Sequence, residues 1–391
     1  MRIPISKNWF GPEELSAIQQ PLKDSWVVQG KQVKAFEQAF SKFTGASASL
    51  ACSSGTAALH IAVAALGVSA GEEVIVPAFT WVATSNVVEL LGGTVRFCDI
   101  DLDTYNLSID ALDASINSNT VGICPVHLFG LCAEMSPVLE AARRGNLWVV
   151  EDAACALGAW YRDSHAGTLG DIGCFSFHPR KSITTGEGGM LTTMRGELVP
   201  LLDGLRNHGA VPQDPQKVGN IGHASLLPSY SIAGFNYRLT DIQGALGAAQ
   251  MSRLGWLLDE RRRCATFYQN ELSNIGWLRL PSEPTHQRHA WQSYVTLYAP
   301  EDPSMDNVER LYLNRNELMQ GLEANGIATR QGTHAPAHLD YYKNKYGIRP
   351  GDFPNAYMAD RLTLALPIYP GMTEEELQYV VMQIKKLGSR V

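Results

Sequence analysis

The chain has 391 residues, of which 45% are hydrophobic and 18% charged, an ordinary globular profile with more length than one simple core takes up, so about two domains are expected. The formal charge of −7 is modest and spread out, and without a basic tract nucleic acid is not an expected partner. The N-terminal Met1-Arg2-Ile3-Pro4-Ile5-Ser6-Lys7 lacks an apolar signal core, and no apolar run reaches membrane-spanning length, so no membrane partner is expected either.

Residues 12–22 and 31–43 have helical spacing, with Trp26-Val27-Val28-Gln29-Gly30 between them. Next come the small residues Ala51-Cys52-Ser53-Ser54-Gly55-Thr56 and a strongly helical run from Ala57 that stops at Gly67, a C-cap residue. Small residues before a helix leave its first amides free for an anion, although the same pattern also serves as a plain Ser/Thr cap. Alternating units follow: strand 73–76, helix 81–91, strand 94–98, strand 121–128, helix 133–144 and strand 147–150. Near-continuous apolar strands separated by helices predict a largely parallel sheet covered on both faces. Ligands then lie beyond the carboxyl ends of the strands. Trp81, Asp152 and Lys181 each follow a strand there.

A carboxylate closing an apolar strand, as Asp152 does, either caps a helix or meets a cationic partner. The apolar run Cys174 to Phe177 breaks at Pro179, Lys181 follows, and Gly186 to Gly189 lead into the strand Met190 to Thr193. A lysine there can be an ordinary solvated loop residue. Desolvated or set beside other cations, it becomes a nucleophile for a carbonyl.

Leu205 to Gly209 end a helix, and 210–229 form a polar loop. Gly234 to Asp241 lead into an Ala/Gly-rich helix over 242–263 whose small residues admit a close helical neighbour. Beyond it the prolines multiply and the pattern is mixed: strand 293–299, helix 317–325, strand 362–366, helix 374–387. The expected fold is α/β, with a three-layer α/β/α large domain over 1–245, its sheet mostly parallel, and a smaller α+β domain over 246–391. His334 and His338 are spaced like a metal pair, but Pro336 lies between them and no third ligand is apparent, so no metal is expected. The seven cysteines (Cys52, Cys98, Cys124, Cys132, Cys155, Cys174, Cys264) are odd in number and form no Cys-x-x-Cys pair. This suggests a reduced, cytoplasmic protein without a disulfide framework.

In chain order the candidates are a small-residue anion cup (Gly55-Thr56), an aromatic (Trp81), a strand-end carboxylate (Asp152) and a lysine (Lys181). Pyridoxal phosphate needs this combination: donors for its phosphate, a face for its ring, a counter-ion for its pyridine nitrogen and an amine for its aldehyde.

The chain also resembles the DegT-like sugar aminotransferases, pyridoxal-phosphate enzymes of the aspartate aminotransferase fold. The resemblance rests on Ser53 to His60, Pro77 to Thr84, Pro125 to Gly130, Glu151 to Ala154, Gly173 to Gly189, Gly234 to Arg238, Gly332 to His334, and His338. It implies that Lys181 forms the Schiff base and acts as acid and base, and that Asp152 pairs with the pyridine nitrogen. Gly55, Thr56 and Ser176 would hold the phosphate, with Ser54 beside them, and Trp81 would stack on the ring. Asn236 would reach the phosphate of the neighbouring subunit, which implies a homodimer with shared active sites. His178, Arg238, His334 and His338 would shape the substrate pocket. Many members carry glutamine or histidine near the cofactor's 3-hydroxyl, where this chain has Cys155, a weak hydrogen-bond donor.

The implied reaction moves an amino group from L-glutamate to the cofactor, leaving its pyridoxamine form, and then to a keto-sugar nucleotide, a 4-keto or 3-keto 6-deoxysugar. A cyclitol ketone is the alternative acceptor. A dehydratase branch carries histidine in place of Lys181, sulfur removal from cysteine would point to Cys155, and a cofactor-binding regulator would need a DNA-binding segment.

Overall fold

The computed structural model describes residues 1–211 and 229–388. Most of the loop expected over 210–229 lies outside them.

Seven strands form the central sheet: β1 (Ala48–Cys52), β2 (Glu73–Pro77), β3 (Thr94–Cys98), β4 (Thr120–Ile123), β5 (Trp148–Asp152), β6 (Ile172–Ser176) and β7 (Gly189–Thr193). Their spatial order is β1-β7-β6-β5-β4-β2-β3. All pairs from β6 across to β3 are parallel, whereas β7 is antiparallel to both neighbours. A parallel return needs a crossover, usually helical. Residues 177–188 contain no helix, so the chain doubles back and β7 reverses. Because β1 is in turn antiparallel to β7, β1, β2, β5 and β6 all present their carboxyl ends on one side of the sheet.

Alternate side chains enter two cores. Leu50, Val74, Val150, Cys174 and Leu191 face one, while Ala51, Ile75, Val149, Phe175 and Met190 face the other. This period of two, apolar on both faces, explains the continuous apolar strands. Helix Lys31–Thr44 covers one face and packs on helix Asp241–Ser252. A Cβ on Gly244 would lie 2.6 Å from the backbone nitrogen of Val33, so the close approach expected of the small residues is present. Asp241 also accepts hydrogen bonds from the amides of Gly30 (2.8 Å), Gln32 (3.2 Å) and Val33 (3.0 Å), capping the first of those helices from the second.

The C-terminal part contains a three-stranded antiparallel sheet of Leu278–Arg279, Tyr294–Tyr298 and Thr363–Leu366, flanked by helices Val308–Ala324 and Glu374–Gly388.

The helix expected over 317–325 begins earlier and spans Val308–Ala324, and two further expected elements differ. The strand expected over 121–128 ends at Ile123, because Pro125 has no N–H for the ladder. The chain then turns through Leu128–Gly130, with Phe129 at φ +58°. The helix expected over 242–263 is two helices, Asp241–Ser252 and Leu254–Leu272. They break at Arg253, whose amide bonds back to Gln250 and whose guanidinium pairs with Glu13 and Glu14.

Candidate active site

Asp152 closes β5 and is 4% exposed. Its Oδ2 accepts a 2.6 Å hydrogen bond from Thr84 Oγ1, and its Oδ1 accepts one from the Ala154 amide at 3.1 Å. No helix follows it, so it is not a helix cap. Its neighbour Glu151 is fully buried and accepts hydrogen bonds from His127 Nε2 (2.8 Å) and from the amides of Gly167 (2.8 Å), Leu169 (2.7 Å) and Gly170 (2.6 Å). Burial alone would raise this carboxyl. The His127 hydrogen bond and charge, with the Gly170 and Gly167 amides, outweigh that and hold it below the usual range. Beneath the Asp152 carboxylate lies a second one, dry but fully satisfied, which fixes the strand end.

Lys181 is in the loop after β6, the strand paired with β5 in the register Asp152↔Cys174. Its amine lies 3.0 Å from Cys155 Sγ. The structure thus brings Cys155, Lys181 and Asp152 into one region.

Ser54 caps helix Gly55–Leu66, its Oγ accepting the Ala57 amide at 3.0 Å. Thr56 is exposed on the first turn. Gly55 lies so close to β6 that a Cβ there would fall 2.8 Å from Ser176 Cβ, and a Cβ on Gly189 would fall 2.2 Å from the Ser54 carbonyl oxygen. The missing side chains let a helix N-terminus, with its free amides and positive dipole end, meet the Ser176 hydroxyl, and an anion binds at such a place.

Trp81 is 59% exposed, and its ring centroid is 6.2 Å from that of His334. The backbone holds them together, since the Thr80 amide donates to the His334 carbonyl at 3.0 Å. His178 is exposed, and its Nδ1 accepts the Arg180 amide at 3.3 Å. Burial lowers its pKa, and the charges of Lys181 and Arg180 add to that despite Glu187. The Arg238 guanidinium donates to Asn207 Oδ1 at 2.6 Å, and Asn236, exposed, forms a backbone bridge to Asn207. His338 is placed differently: its ring stands edge-on to Tyr357 at 5.1 Å and its Nε2 is buried without a partner. Of the two C-terminal histidines, only His334 touches another predicted site residue. Among the described residues no group of three or more His, Cys, Asp or Glu side chains gathers to hold a metal.

Sequence spacing did not point to Thr84, which is 68 positions from its partner Asp152. Arg180 was also missed. Burial and the like charge of Arg330 hold its guanidinium below the usual range, and no acceptor meets either guanidinium among the described residues.

A profile of the DegT/DnrJ/EryC1/StrS aminotransferase family matches residues 9–385. The chain belongs to this family. It is 35% identical to an uncharacterized protein of Methanocaldococcus jannaschii over 99% of this chain and 98% of that one. It is 34% identical to GDP-perosamine synthase of Caulobacter vibrioides, again over 99% and 98%. Among solved structures, a putative sugar aminotransferase from Streptococcus pneumoniae in its PMP form superposes with a TM-score of 0.91 at 26% identity, covering both chains completely. Its PLP form gives 0.90 at 25%, over 100% of this chain and 99% of that one.

The side chains fit that cofactor. The cradle that a Cβ on Gly55 or Gly189 would fill suits a phosphate, the dry Asp152 carboxylate suits a pyridinium, and a half-buried amine suits an aldehyde. The chain is an aminotransferase that uses pyridoxal phosphate. No described helix is long and apolar enough to cross a membrane.

Proposed function

We propose that this enzyme transfers the amino group of L-glutamate to a keto-sugar carried on a nucleotide, a 4-keto or 3-keto 6-deoxysugar. One observation carries the reading: a lysine amine and a buried carboxylate leave adjacent parallel strands on the side where a helix N-terminus is open. The whole-length similarity to GDP-perosamine synthase supports a nucleotide-sugar acceptor, and Arg180 and Arg330, whose guanidinium groups have no partner among the described residues, supply positive charge for carboxylate or diphosphate groups.

Pyridoxal phosphate, when bound, supplies an aldehyde for amines and a ring that withdraws electrons. The chain's residues do the rest. Gly55, Thr56, Ser54 and Ser176 would hold the phosphate. Asp152, kept dry and oriented by Thr84, would pair with the ring nitrogen, and Trp81 would offer its exposed indole to the ring. Lys181 Nζ would take a proton from the donor's α-carbon in the first half-reaction and, by the reverse movement, deliver one to the acceptor carbon in the second. A positioned amine contributes about 10² to 10⁴-fold in such a step.

We further infer a division near residue 245 and a homodimer in which Asn236 serves the neighbouring site. The exposed side chains of Asn236, Trp26, Val27 and Val28 support the dimer, and light scattering giving a monomer mass would remove it.

A visible spectrum before and after L-glutamate tests the central reading. The band of lysine-bound cofactor should give way to that of the aminated form. Lys181→Ala should bind cofactor yet turn over negligibly, and retained turnover would sink the assignment.

A further inference from the structure

Arg261, on helix Leu254–Leu272, is 2% exposed and forms no ion pair with any described carboxylate. Burial pulls its guanidinium down to about 10. All its hydrogen bonds go to main-chain carbonyls: Nη1 donates to Gln292 (3.1 Å) and Ile368 (3.4 Å), and Nη2 donates to Lys181 (3.3 Å). Its Nε is buried without a partner.

A buried, uncompensated guanidinium is a poor way to stabilise a fold, because an apolar side chain of similar size usually does as well or better. Arg261 must therefore do something an apolar residue cannot, and its acceptors indicate what. Gln292, 7% exposed, donates its side-chain amide to the Arg180 carbonyl at 2.6 Å while its own carbonyl receives Arg261. Three hydrogen bonds thus enclose the Arg180–Lys181 peptide: Gln292 Nε2 to Arg180 O, Arg261 Nη1 to Gln292 O, and Arg261 Nη2 to Lys181 O. The residue before Gln292 is Trp291, a bulky side chain at φ +51° whose ring lies 3.9 Å from and nearly parallel (2°) to that of His289. Such backbone persists only where the surroundings over-determine it, so the segment presenting Gln292 is held firmly.

We propose that Arg261 and Gln292 are positioning residues that grip the two carbonyls flanking the Lys181 amide and fix the path of the Lys181 side chain toward the reacting carbon. Lysine has four rotatable bonds, and only a fixed backbone confines where its amine can reach. The planar fork of Arg261 reaches the three carbonyls from two separate nitrogens held in a fixed geometry, a spread that the single nitrogen of an ammonium lacks. The grip joins the lysine loop to the C-terminal part, since Gln292 and Ile368 both belong there. The proposal rests on the assignment of Lys181 as the amine-bearing residue.

The test uses Arg261→Met, Gln292→Leu and the double variant in the full-length holoenzyme, with amide hydrogen exchange of the cofactor-free protein as the second readout. A misplacement of about 1 Å costs on the order of 10²-fold in rate, so kcat should fall by about that much in Arg261→Met. KM for the amino donor should stay within about three-fold, because a group acting in the chemical step leaves ground-state binding alone. The double variant should lose much less than the product of the single losses, since the two residues share one grip. The fraction of bound cofactor fixed to the protein by borohydride reduction should drop. Exchange over residues 177–185 should quicken by about ten-fold or more, as expected when local hydrogen bonds are lost, with the central strands unchanged.

Uniformly faster exchange with an unchanged borohydride-fixed fraction would reduce Arg261 to a packing residue and overturn the proposal, as would single losses that multiply. If Arg261→Met does not fold, Gln292→Leu alone decides on the same local exchange and trapping criteria. Failure of the Lys181 assignment shows separately, as turnover retained by Lys181→Ala.

Discussion

Lowering the pH from 7 to 5 should destabilise the protein through His165. This residue is fully buried, with Nδ1 2.6 Å from the Ala166 carbonyl and Nε2 accepting the Gly158 amide at 2.9 Å. Those partners require the neutral ring with its proton on Nδ1. A second proton would bury a charge and displace the Gly158 amide from the turn after Asp152. Burial accordingly pushes the pKa from 6.5 to about 4, against the opposing pull of the Ala166 carbonyl and the Glu151 charge. Between those values the unfolded state binds the extra proton and the folded state does not. The stabilisation is thus complete above the unfolded pKa of 6.5 and lost as the pH falls toward 4. At pH 5 the loss is about 2 kcal/mol, from roughly 1.5 pH units at 1.36 kcal/mol each. For a chain of 391 residues the unfolding entropy is roughly 0.8 kcal/mol per kelvin, so Tm should fall by about 2–3 °C from this group. Thermal unfolding of the wild type and of His165→Gln, whose amide can both donate and accept, should be compared at pH 7 and pH 5. Other groups cancel in that comparison, including His289, which burial pushes to about 3. The variant's Tm should fall by about 2–3 °C less than the wild type's. Parallel falls would refute the reasoning.

Replacing Thr84 by Val removes the only side-chain hydrogen bond that Asp152 receives among the described residues. A bond to a charged group contributes about 1.5–3 kcal/mol, so cofactor affinity should weaken by about ten-fold or more in a spectroscopic titration, with Thr84→Ser close to wild type. Gly189→Ala forces a methyl against the Ser54 carbonyl. It should lower stability by about 1–3 kcal/mol in urea unfolding and weaken phosphate-bearing cofactor more than pyridoxal itself. Gly244→Ala meets the backbone of Val33 instead. It should cost a similar 1–3 kcal/mol or so without selective loss of the cofactor phosphate, separating packing from the site.

How much of the site the sequence reveals depends on how far each contact reaches along the chain. Lys181 and Asp152 stand out as candidates because each follows a short apolar run and precedes a break, and Ser54 because small residues precede a strongly helical run, patterns complete within about a dozen residues. The strand Thr94–Cys98 was legible for the same reason. The strand Ala48–Cys52 was not, because its alanines, serine and cysteine carry little β signal. Only its pairing with Gly189–Thr193, far along the chain, makes it a strand. The reversal of that partner follows from the absence of a helix over 177–188, a fact about connection rather than periodicity. Thr84 reaching Asp152, Cys155 lying against the Lys181 amine and Arg261 reaching the Lys181 carbonyl are contacts between residues 68, 26 and 80 positions apart. No local spacing encodes them. Arg261 in particular reads as one of three consecutive arginines on a helix, the commonest signature of a solvated face. The direction in which it turns inward is set by where the carbonyls of Lys181, Gln292 and Ile368 lie. The chemistry of the site is therefore written in local motifs, and its geometry in residues whose types alone would not single them out.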